Sequence, residues 1–192
     1  MIFYLLNFIV FAIPAYSLRF SFFGMPFTFL EILIYILFIV WLFQFKRGRK
    51  MIFDAKIWIP VLLLFYGATL STVFSSNLIA SAGIWKGYFL DPLLFFTVFL
   101  DVFSRMDAKN QGLKINILLQ WFLFSGYFTA IIAFAYLLSG NLTYDGRLSA
   151  FYLSPNHLAM FLAPVFLVNL YFLFKASGIN PVTFSRGVPF CE

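Results

Sequence analysis

The chain has 192 residues, 63% of them hydrophobic and 10% charged, with a formal net charge of +6. A soluble domain carries about 25% charged residues, so this much apolar surface calls for lipid as the main solvent and excludes an ordinary soluble enzyme. A single cysteine, Cys191, excludes a disulfide within the chain; with one histidine and no glycine-rich loop after a strand, neither a metal centre, a cofactor nor a nucleotide-binding domain is expected.

Residues 1–18 form the first apolar run, close to the ~20 residues that cross a bilayer. No Lys or Arg precedes Arg19, so the basic region of a signal peptide is missing and a retained helix is expected. Residues 14–26 read as a short aromatic loop carrying Arg19. The second span, 27–45, opens at Thr28, and Thr28 with Glu31 has the spacing of a capping box, in which each side chain satisfies a free backbone N–H of the other. That assigns Glu31 to the helix start. A basic run at 46–50 closes the span.

The third span covers 57–74, where Gly67 and Ala68 offer a site for close helix approach. Residues 75–87 are more polar and read as a connection at the membrane surface, with Trp85 and Tyr88 at headgroup level. The fourth span, 84–103, is weakly marked, because its apolar centre is short and Asp91 and Asp101 flank it. Asp91 before Pro92 has the pattern of a cap followed by proline at the first helical position, with Lys86 as a nearby partner. The alternative is a carboxylate facing an internal cavity. Residues 115–139 and 155–174 are the fifth and sixth spans, and 176–192 a tail. The expected fold is all-α: a polytopic integral membrane protein of about six transmembrane helices in one domain over residues 1–175.

Charge sets the expected topology. With the loops assigned alternately, one side holds Lys46, Arg47, Arg49, Lys50, Lys56, Arg105, Lys109, Lys114, Lys175 and Arg186, and the other only Arg19, Lys86 and Arg147. Basic residues concentrate in cytoplasmic loops, so both termini are expected in the cytoplasm of a bacterial cell, with 140–154 on the outer face. The same placement accounts for the positive charge without a nucleic-acid partner.

The outer segment 147–159 gathers the chain's polar chemistry. Asp145-Gly146 signals a turn, Arg147 follows, and Ser154-Pro155 is a cap and first helical residue. A helix N-terminus offers free N–H groups and the positive end of its dipole, and an arginine fork suits phosphate. Arg147 and Asn156 are therefore candidate diphosphate-binding residues, and His157, Lys86, Asp91 and Arg19 weaker ones. His157 has no carboxylate partner visible in the sequence to orient it as a base.

The run Arg147-Leu-Ser-Ala-Phe-Tyr-Leu-Ser-Pro-Asn-His-Leu-Ala159 resembles the arginine-to-Pro-Asn signature of the O-antigen ligase and O-antigen polymerase superfamily. Arg147, Pro155, Asn156 and Ala159 match it, and a Trp-Lys-Gly-Tyr stretch before a Pro-Leu-Leu span also resembles that family's N-terminal half. Ala150 departs from it, standing where glycine is common, as does Leu153, where another small residue is frequent. The resemblance implies a membrane glycosyltransferase of polysaccharide biosynthesis, acting on an undecaprenyl-diphosphate-linked glycan outside the cytoplasmic membrane, with Arg147 holding the diphosphate. It covers only the family's first half. The large outer loop and the histidine proposed as general base belong to the second half, so the chain is expected to be a fragment that is inactive alone. The reading from a different class is a non-enzymatic transporter component or assembly subunit, for which a buried carboxylate such as Asp91 would be the signature.

Overall fold

The computed structural model describes residues 1–22, 25–44 and 55–177. The basic run at 46–50, most of the tail at 176–192, Arg186 and Cys191 lie outside the described residues. Helix dominates, as composition requires. The elements are α1 (Ile2–Phe11), a 3-10 turn (Ile13–Ser17), strands β1 (Arg19–Phe22) and β2 (Met25–Thr28), α2 (Phe29–Gln44), α3 (Ala55–Val73), α4 (Leu78–Trp85), a π turn (Lys86–Leu90), α5 (Asp91–Ser104), α6 (Ala108–Leu138) and α7 (Pro155–Ala176).

Among the described residues, four helices are long and apolar enough to cross a membrane: Ala55–Val73, Leu78–Ser104, Lys109–Leu138 and Pro155–Ala176. The first two apolar runs are helical but shorter, at 10 and 16 residues. The first gives way to a 3-10 turn at Pro14, which has no N–H to continue the α-helical ladder. The segment expected as a loop carries a 3-10 turn at Ile13–Ser17 and strands at Arg19–Phe22 and Met25–Thr28. β1 and β2 pair antiparallel with Arg19 opposite Thr28, so the alternation Arg-Phe-Ser-Phe is that of a strand.

The largest correction falls on residues 75–87. The polar connection expected there is helical from Leu78 and runs without a break into α5, giving one helix of 27 residues. Asp91 therefore does not cap a helix. Its own backbone and that of Leu90 are helical, and its N–H bonds to the Lys86 carbonyl across a π turn. Proline explains the wide turn: Pro92 has no N–H, and its ring would strike the carbonyl one regular turn back. An extra residue in the preceding turn moves that carbonyl away. Trp85 is the last residue of α4. Its Nε1 donates to Thr69 Oγ1 at 3.0 Å and its ring lies 5.2 Å from Phe65.

The chain divides into two units, residues 1–118 and 119–192. The core of the first joins Leu6 and Ile9 of α1, Ile34, Leu37 and Trp41 of α2, and Val98 and Phe103 of α5. On α1 and α2 those positions form one helical stripe. Glu31 meets Lys86 near the start of α2, and Trp41 meets Asp101 near its end, so α2 and α5 run parallel. Phe3 lies 6.3 Å from Phe103, which makes α1 antiparallel to both. The N-terminus, Arg105 and Lys114 thus collect at one end, and the hairpin with Lys86 at the other.

In the second unit, Gly126 of α6 is the position of closest helix approach. A Cβ there would lie 2.2 Å from Val165 Cγ1 of α7. Gly67, the expected contact glycine, has nothing within 4 Å of such an atom. Phe122 meets Phe161 and the Tyr127 hydroxyl donates to Asn169 Oδ1 at 3.0 Å. These pairs all fall within residues 122–127 of α6, so α6 and α7 meet over a short crossing.

Candidate functional site

The sequence-derived candidates fall into two groups. Arg147, Asn156 and His157 belong to the second unit, and Arg19, Lys86 and Asp91 to the first.

In the second unit, the turn forms as expected. Gly146 adopts a φ of +72° and its N–H bonds to the Thr143 carbonyl at 2.9 Å. The Arg147 side chain is 59% exposed and pairs with Asp145, whose carboxylate also accepts from the Thr143 hydroxyl. The Thr143 hydroxyl, and after it the Arg147 guanidinium, hold the Asp145 carboxyl below the usual carboxylate range. Arg147 thus offers its fork to solvent while its charge is partly committed to a neighbour. Ser154 caps α7, accepting from the His157 N–H at 3.4 Å, with Pro155 at the first position. Asn156 is exposed in that first turn. His157 is half-buried, its Nδ1 turned away from solvent. Between the arginine and the cap, Ala150 is buried with a φ of +49°, and it is the one non-glycine residue with positive φ among the described residues.

The first unit holds a second cluster that the sequence shows only in pieces. Thr28 and Glu31 form the capping box as expected: the Glu31 N–H donates to Thr28 Oγ1 at 3.2 Å and the Thr28 N–H to Glu31 Oε2 at 3.3 Å. Glu31 does more than cap. Its Oε2 also takes the Lys86 ammonium at 2.8 Å, and that ammonium lies 3.8 Å over the Phe27 ring. Lys86 therefore pairs with Glu31, where the sequence suggested Asp91. Asp91 is 3% exposed, and neither of its oxygens is held in a well-formed hydrogen bond. Its polar neighbours are Tyr35, Glu31 and Lys86. Arg19 stands on the exposed face of the hairpin beside Tyr16.

Glu31 and Tyr35 are the residues sequence reasoning missed at this site. They are four apart on α2 and so share one face, a signal that was available once Glu31 was not dismissed as a cap. At the opposite end of α2 and α5, Asp101 accepts from Trp41 Nε1 at 2.9 Å and from Arg105 Nε at 2.8 Å. The Asp101 hydrogen bond makes Arg105 hold its proton more tightly than a free arginine. Among the described residues, no three His, Cys, Asp or Glu side chains are grouped to hold a metal ion.

Set against family models, characterised proteins and solved structures, the chain matches none.

Proposed function

We propose that this chain is the N-terminal part of a membrane glycosyltransferase of the O-antigen ligase and polymerase kind. It would work at the outer face of a bacterial cytoplasmic membrane, with both chain ends in the cytoplasm. The observation that carries the reading is Ala150. The resemblance runs from Arg147 to Ala159 and departs from the family at Ala150, where glycine is common, and here the backbone takes the left-handed conformation that favours glycine. The local fold thus asks for the residue the signature has. The capped start of α7 at Ser154-Pro155 supports the same reading.

In the first unit, the gathering of the N-terminus, Arg105 and Lys114 at one end supports a cytoplasmic side for that end. In the reaction, the bond from the anomeric carbon of the glycan to the lipid diphosphate breaks, and a bond from that carbon to an acceptor hydroxyl oxygen forms. The hydroxyl proton passes to a base outside this chain. Arg147, exchanging Asp145 for phosphate oxygens, would stabilise the departing diphosphate, a role that needs no metal. In a full-length version, Arg147→Ala is expected to abolish glycan transfer while leaving membrane insertion intact; transfer at the parental rate would refute the role.

Asp91 favours a second reading, a membrane carrier or assembly subunit, because intramembrane carboxylates commonly mark ion or substrate pathways. Parallel substitution separates the two. Loss of transfer in Arg147→Ala but not in Asp91→Asn supports the enzyme. Loss of function confined to Asp91→Asn supports the carrier.

A further inference from the structure

Two carboxylates and one ammonium meet beside the π turn, and the pairing among them is uneven. Lys86 is committed to Glu31 at 2.8 Å and to the face of Phe27. Glu31 shares one oxygen, Oε2, between that ammonium and the cap of α2. Asp91 lies deeper, 3% exposed, with both oxygens outside any well-formed hydrogen bond. An ionised carboxylate in such a place has little solvent, and beside it only the Tyr35 hydroxyl and an ammonium already held by Glu31; burying that charge is costly, and taking up a counter-charge removes the cost. A hard cation needs several oxygen ligands, and no suitable group of side chains is assembled among the described residues. A proton needs only the carboxylate.

We propose that the cluster of Tyr35, Glu31, Lys86 and Asp91 is a proton-binding site, with the Asp91 carboxyl as the group that takes up and releases the proton. In the protonated state the Glu31–Lys86 pair is balanced and Asp91 is neutral. On release, the O–H bond of Asp91 breaks and the proton passes to water at the Lys86–Glu31 edge, where those side chains are 19% and 11% exposed. The carboxylate left behind draws on the Lys86 ammonium, setting Asp91 and Glu31 in competition for one cation.

The groups facing this site are few. Helix α2 supplies Glu31 and Tyr35, and the site's own helix supplies Lys86. Tyr88 on the π turn is 74% exposed. Helix α1 carries Tyr4, and α3 carries Lys56 and Tyr66, all three exposed. The inference does not depend on whether the chain moves a glycan.

Infrared spectra of the full chain in lipid nanodiscs, titrated across the neutral range, test it. The parent should show the carbonyl stretch of a protonated carboxyl at neutral pH, and Asp91→Asn should remove it. Absence of the stretch in the parent, or its survival in Asp91→Asn, overturns the proposal. Glu31→Gln removes the competing charge and should lower the pH at which the stretch disappears by about 1–3 units. An unchanged midpoint overturns the role given to the Glu31–Lys86 pair, and this arm stands even where Asp91→Asn fails to fold.

Discussion

Ala150 holds a left-handed backbone with a φ of +49° while its methyl is buried. An L-residue there costs about 1–2 kcal/mol relative to an ordinary conformation, and glycine escapes most of it. Ala150→Gly is therefore expected to raise the stability of the second unit by about 1 kcal/mol, read as an upward shift in the thermal midpoint of the detergent-solubilised chain. A fall would show that buried methyl contacts outweigh the strain. Three residues upstream, the Asp145–Arg147 contact should respond to acid. Thr143 and Arg147 hold the Asp145 carboxyl below its ordinary value of 3.8. A carboxyl depressed on folding contributes stability at pH above its unfolded value, and loses it as pH falls through the lower folded value. Arg147 should therefore remain paired at neutral pH and be released only under strong acid. The side-chain nitrogen shift of Arg147 by NMR measures this, and release near neutrality would refute the assignment.

At the scale of elements, the contact between α6 and α7 turns on the absence of one methyl group. Gly126→Ala would place a carbon 2.2 Å from Val165 Cγ1, so the helices must part or shift. Overpacking of this kind costs about 1–3 kcal/mol. Val165→Ala should recover much of the loss in the double variant, and full additivity of the two changes would show that the contact is not what couples them. This contact was not legible in the sequence. Gly67 and Gly126 look alike there, each a small residue in an apolar run, and only the partner helix distinguishes them. The helices themselves were legible, because long apolar runs leave little else to form, and the capping box at Thr28 and Glu31 was legible because its hydrogen bonds are local. The join between α4 and α5 was not. Proline beside an acidic residue reads as a helix start from local chemistry, whereas the chain absorbs the same proline with a π turn inside a continuous helix.

For the whole molecule, the distribution of exposed apolar side chains speaks most directly. Helix α3 buries only 6% of its spanning window, and its exposed residues include Leu63, Leu64 and Val73. Among the described residues four helices are long and apolar enough to cross a membrane, in keeping with the composition. Sidedness is a further matter, resting on where the basic residues fall. Cys191 is the sole cysteine, so Cys191→Ser gives a clean background for labelling. A single cysteine at Tyr144, which is fully exposed in the turn before Arg147, should react with an impermeant maleimide added to intact cells. A cysteine at Lys109 should react only after permeabilisation, and the reverse pattern would invert the proposed topology. The candidate site was half legible for a related reason. Arg147, Lys86 and Asp91 stand out as charges in an apolar chain, but which charge meets which is a property of helix packing, and Glu31 is separated from Lys86 by more than fifty residues.

The π turn at 86–90 also separates the length of this helix from its phase. It carries one residue more than a regular turn, so the flanking stretches keep their faces, Trp85 toward Thr69 and Val98 in the core with α2. Removing one residue within the turn would restore a regular helix and leave those faces in place. Removing one residue from the middle of α5 would rotate everything beyond it by about 100°, carrying Asp101 away from Trp41. Among relatives of this chain, single-residue gaps in this helix should therefore gather at the turn, and the helix can gain or lose its polar kink there without surrendering the core.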